Sequence, residues 1–106
     1  MMNATFYQVG DLTVVEIKGR IEPDQNKPFR DVCEKKLKNH KVIFCLENLS
    51  FTASANLTTF FESIHLIPQA SVVGLKNDFH KLLELKGFST LKTFTTLSEA
   101  LRHSEL

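Results

Sequence analysis

The chain holds 106 residues, enough for one small domain spanning 1–106 and too few for a second. Thirteen Lys and Arg against twelve Asp and Glu leave a formal net charge of +1, with 42% hydrophobic and 24% charged residues. That balance excludes a disordered chain, and no surplus of cations exists to displace counterions from nucleic acid.

The longest unbroken aliphatic and aromatic run, Val42-Ile43-Phe44-Cys45-Leu46, is too short to span a bilayer, so no membrane insertion is expected. Residues 1–10 lack the basic start and apolar middle of a signal peptide, which implies a cytoplasmic protein. Cys33 and Cys45 are too few and too scattered for a disulfide framework. Both fall in apolar patterns and read as buried free thiols.

Residues 6–8, the turn signal Gly10-Asp11 and residues 12–18 predict a β-hairpin, with the β-branched stretch Thr13-Val14-Val15-Glu16-Ile17-Lys18 as its stronger strand. Pro28 suits the first turn of a helix in which Phe29, Val32, Cys33 and Leu37 share one face. The run 42–46 has no polar alternation and predicts a strand covered on both faces. A polar connection is expected over 48–56. Leu57, Phe60, Phe61 and Ile64 then mark an amphipathic helix stopped by Pro68, with His65 partly packed beside its stripe.

Residues 71–75 predict another buried strand. Asn77-Asp78 offers a cap to a helix with Phe79, Leu82 and Leu83 inward, closed by Gly87. Residues 91–94 suit a short edge strand, and Thr96-Leu97-Ser98-Glu99 has the form of a capping box opening a last helix. The order ββαβαβαβα predicts an α/β domain: a mixed, mostly parallel sheet of four to five strands with about four helices and right-handed crossovers.

Motifs for catalysis do not appear. The four glycines stand apart, so no phosphate loop is present, and no Cys-x-x-Cys exists for redox chemistry. His40, His65, His80 and His103 are isolated from any second ligand at metal spacing. The expectation is a protein without enzymatic activity, metal or cofactor.

The informative stretch is Leu49-Ser50-Phe51-Thr52-Ala53-Ser54-Ala55-Asn56-Leu57, which joins a buried strand to an apolar-faced helix through small and hydroxyl residues. Two readings stand for Ser54. It is an N-cap accepting a bond from a backbone N–H, or it sits exposed where a helix start would receive a phosphate well.

Residues 13–22, 42–51 and 52–57, then Val72-Val73-Gly74-Leu75, residues 79–85, Gly87-Phe88, Phe94 and Glu99-Ala100-Leu101, follow one another in a familiar order. In that order they resemble the STAS family, the sulphate-transporter and anti-sigma-factor-antagonist domains, over nearly the whole chain. Where the family has Asp-Ser-Ser-Gly-Leu, this sequence has Ala53, Ser54, Ala55, Asn56 and Leu57.

The resemblance implies a single STAS-like domain that binds proteins rather than transforming substrates. In the family's phospho-regulated members the serine after the aspartate accepts phosphate, and by position that residue is Ser54. The resemblance further implies a docking surface of Glu22, Pro23, Asp24, Thr52, Ala53, Ser54, Ala55 and Asn56. The partner it implies is an anti-sigma factor or serine-kinase-like protein exchanged on phosphorylation. Its alternatives are the ATPase subunit of an ABC-type lipid transporter, or a scaffold role without phosphate. Weak homodimerisation is a further expectation.

Overall fold

A computed structural model describes residues 3–51, 54–85, 87 and 91–104, with backbone only at 51, 54, 55, 77, 78 and 104. The chain opens with β1 (Asn3–Val9) and β2 (Leu12–Ile21), an antiparallel pair with Val9 opposite Leu12. Gly10 has φ +60° and no other residue type among the described residues has positive φ, so glycine leads the two-residue turn, as a type II′ turn requires. The hairpin is as expected, with both strands longer.

A 3-10 turn, Pro23–Gln25, leads into α1 (Asn26–Val32), which widens into a π turn over Cys33–Leu37. Pro28 falls within the first turn of α1, where its missing N–H costs no intrahelical bond. Then follow β3 (Lys41–Phe51), α2 (Ser54–His65), β4 (Ala70–Val73), α3 (Asn77–Leu85), β5 (Lys92–Phe94) and α4 (Leu97–Ser104). The strands form one sheet in the order β1-β2-β3-β4-β5, antiparallel only between β1 and β2. This is the mixed, mostly parallel α/β sheet that the element order implies.

The sequential strand order fixes the layers. Right-handed crossovers that step in one direction across a sheet put all their helices on the same face. Phe29 of α1, Phe60 and Phe61 of α2, and Phe79 and Leu83 of α3 accordingly share one core with Val15, Ile17, Phe44, Leu46 and Val72. The Phe29 ring stacks on Phe60 at 4.5 Å and meets Phe44 edge-on at 6.0 Å. Fully burying each such side chain stabilises the fold by about 1.5–3 kcal/mol. The opposite face carries a smaller core, Leu12, Val14, Ile43, Cys45 and Val73, under Ala100 of α4.

Alternating β3 residues therefore serve both cores, so the run at 42–46 is covered on both faces. The strand does not end there: it runs on to Phe51, into the stretch expected as a polar connection. Between Glu16/Lys18 on β2 and Cys45/Asn48 on β3 the parallel register slips by one residue. The bulge accommodates exposed Glu47 and Asn48, and beyond it Leu49 rejoins the core that Val42, Phe44 and Leu46 face. One extra residue thus switches the buried parity of β3 while β2 keeps its own.

Other expectations meet the structure as follows. Both cysteines are free and buried. The Glu99 N–H donates to Thr96 Oγ1 at 3.2 Å, half of the capping box at α4. Gly87 N–H donates to the Glu84 carbonyl at 3.5 Å, just past α3. His65 is exposed, not partly packed. The capping side chains of Asn77 and Asp78 lie outside the described residues.

Gly74, which the sequence places inside a strand, instead follows the end of β4 at φ +73°. A Cβ there would lie 2.8 Å from Cβ of Glu47 and 3.3 Å from its backbone N and Cα. Both the dihedral angle and the close approach exclude a side chain. Gly74→Ala is expected to lower stability by about 2 kcal/mol or more, read as a lower urea midpoint at unchanged m-value.

Candidate functional site

The parallel pairing of β2 with β3 runs to their last residues, with Ile21 opposite Phe51. Neighbouring strands lie about 4.8 Å apart, so the segments that leave them emerge side by side from one end of the sheet. After β2 comes Glu22, half-buried and extended at φ −116° and ψ 154°, followed by exposed Pro23 and Asp24. The Gln25 N–H donates to the Glu22 carbonyl at 3.0 Å and closes this turn. Proline at its first position presets φ for the turn.

After β3 comes the start of α2, whose first residue is Ser54. Leu57 is buried against the larger core and fixes the angle at which the helix leaves the sheet, while Asn56 is half-buried. The backbone thus brings Glu22, Pro23 and Asp24 to the same end of the sheet as Ser54, Ala55 and Asn56. Thr52 and Ala53, and the side chains of Ser54 and Ala55, lie outside the described residues.

A helix start presents N–H groups without intrahelical partners and the positive end of the helix dipole. Around it the described surface is small and mixed in charge. Ser50 Oγ donates to the Gly19 carbonyl at 3.2 Å, tying β3 to β2 just before both end. The nearby pair Lys18 Nζ–Glu16 Oε1, at 3.7 Å, is solvent-exposed and contributes little to stability. Among the described residues no group of His, Cys, Asp and Glu is placed to hold a metal ion.

Both thiols are buried, which disfavours the thiolate. Burial pushes the Cys33 thiol up to about 12. Burial, with the charges of Glu16 and Glu47 beside it, pushes Cys45 up to about 11. Tyr7 is raised as well, by burial first and then by Cys45 and Glu16.

No sequence-family model matches this chain, and no curated protein sequence does. Solved structures do match over nearly the full length. An anti-sigma factor antagonist from Mycobacterium paratuberculosis superposes with a TM-score of 0.75 at 16% identity, covering 97% of this chain and 93% of that one. The chain has the STAS fold. A STAS domain protein from Planctomyces limnophilus matches with TM-score 0.66 at 17% identity, covering 97% and 98%. The Bacillus cell fate determinant SpoIIAA, in its phosphorylated form, matches with TM-score 0.69 at 13% identity, covering 96% and 99%.

Two buried thiols with raised pKa predict slow modification of this STAS-fold chain. At pH 8 the Cys45 thiolate is about 100-fold scarcer than at an ordinary cysteine, and Cys33 scarcer still. Labelling with a thiol-specific chromogenic disulfide should be slow in buffer and complete for both cysteines in denaturant. Fast native labelling of either would contradict the burial described.

Proposed function

We propose that this chain, as a single STAS-like domain over 1–106, is a regulatory protein-binding module of the anti-sigma-factor-antagonist kind. Its docking surface is the end of the sheet that carries the Glu22-Pro23-Asp24 turn and the start of α2 at Ser54, Ala55 and Asn56, and the reading includes Thr52 and Ala53 from the sequence. The observation that carries this reading is the level ending of β2 and β3 at Ile21 and Phe51, with α2 beginning at Ser54. Similarity in fold to SpoIIAA in its phosphorylated form supports it.

Ser54 is the phosphate acceptor in this reading. Its Oγ attacks the γ-phosphorus of ATP held by a partner serine kinase, ADP leaves, and the serine proton passes to a base of that kinase. The product carries about −1.5 to −2 charges in a segment whose other residues, Thr52, Ala53, Ala55 and Asn56, are small and neutral, and it adds to the charges of Glu22 and Asp24 on the neighbouring turn. A partner packed against that surface meets a desolvated dianion, and a penalty of a few kcal/mol lowers its affinity by about a hundredfold. Ala53, in place of the family's aspartate, leaves the added phosphate as the dominant charge at the loop. The bound partner is an anti-sigma factor, and exchange takes place in the cytoplasm.

A second reading rests on the same loop. Ala53, Ala55 and Asn56 replace an acid, a serine and a glycine of the family pattern, which suits a permanent contact without phosphate, such as the ATPase subunit of an ABC-type transporter. Among the described residues no helix is long and apolar enough to cross a membrane, so the chain would bind such a complex through its ATPase.

Incubation with ATP and the cognate serine kinase should add one phosphate, seen by intact mass and absent from Ser54→Ala. Ser54→Glu should weaken partner binding by about tenfold or more in calorimetry. Co-purification with a transporter ATPase, unaffected by Ser54→Glu, would decide for the second reading.

A further inference from the structure

A cleft of about 460 Å³ opens at the other end of the sheet, where β3, β4 and β5 begin. Its size falls within the range of small-molecule sites. It exists because α4, eight residues long, is the described helix on its face and covers only part of it. Leu12, Ile43, Ile67, Leu91 and Phe94 form its apolar walls.

The polar lining is of one sign. Lys41, Lys92, His65 and His103 line the cleft, and no Asp or Glu lines it among the described residues. His65 and His103 stand in the last turns of α2 and α4, where a basic side chain complements the helix dipole. That explanation does not extend to Lys41 and Lys92, which stand on strands. Neither lysine has an ion-pair partner among the described residues.

The register shows where these lysines stand. Ser71 of β4 lies between Ile43 of β3 and Lys92 of β5. Lys41 is two residues before Ile43 and so shares its face, which is the face α4 covers. The two lysines therefore flank Ser71 from strands about 10 Å apart. Ser71 is only 7% exposed, and its hydroxyl makes no hydrogen bond among the described residues. The Ser71 oxygen is therefore open to the cleft rather than sealed in the core, and it stands free to bond a group held between the two lysines.

We infer that this cleft binds a small amphiphilic anion, a carboxylate or phosphate on an apolar body, with its head between Lys41, Ser71 and Lys92. The apolar body lies along Ile43, Ile67 and Phe94. The site is separate from the Ser54 surface, at the opposite end of the strands, so each can fail without the other.

Amide NMR titration with sodium octanoate, and in parallel with octyl phosphate, tests this directly. Either probe should give saturable shifts confined to the starts of β3, β4 and β5 and the end of α4, and the stronger probe identifies the head group. Octyltrimethylammonium should give none. The double variant Lys41→Glu/Lys92→Glu, at two exposed positions that leave the core intact, should weaken binding by about tenfold or more, and Lys41→Met/Lys92→Met by less. Ser54→Ala should bind as the parent does. Absence of saturable shifts with both anions would overturn the inference. So would equal affinity for the cation, or unchanged affinity in both double variants.

Discussion

Everything in this fold follows from the handedness of three crossovers. Because β2, β3, β4 and β5 are neighbours in chain order, a right-handed connection at each step returns every helix to the same side. The result is an unequal pair of layers: α1, α2 and α3 against one face of the sheet, α4 against the other. The larger core gathers the stacked and edge-on contacts of Phe29, Phe44, Phe60 and Phe61. The smaller one has the tilted pair of Phe94 and His103, with ring centroids 5.2 Å apart.

The same geometry separates the chain's two ends of the sheet by chemistry. Parallel strands end together, so the segments that follow β2 and β3 are neighbours without any long-range design beyond register. Helix starts gather at that end. Helix ends gather at the other, and in α2 the last carbonyls are already met by the backbone, as Leu66 and Ile67 N–H groups donate to Ser63 and Ile64. The start of α2 and the basic cleft thus stand at opposite ends of the strands, as one orientation of these helices requires.

Most of the architecture was legible in the sequence because its signals are local. The β-branched run 13–18, the two-sided run 42–46 and the stripe Leu57, Phe60, Phe61, Ile64 each declare their type from spacing alone. What was not legible depended on pairing. Glu47-Asn48 looks like the start of a loop, since adjacent polar residues break a buried strand, and only the register with β2 reveals a bulge. The π turn at Cys33–Leu37 keeps the same buried residues as an α-helix and so leaves no trace in periodicity. The segment 52–56 was found from composition and family resemblance, and the turn at Glu22 from the resemblance, while the register brings that turn to the same end of the sheet as the start of α2. Lys41, Ser71 and Lys92 were invisible as a group, because three separate strand starts bring them together.

The unequal cores also divide the two cysteines. Cys33 belongs to the larger and Cys45 to the smaller. Regions with little buried apolar area open locally without waiting for the whole molecule. A thiol beneath α4 is thus expected to open with that helix and its short strand, while Cys33, on the inner face of the π turn that continues α1, is expected to open only with the larger core. The chain carries its own pair of clocks for two distinct opening events, one on each side of a single sheet.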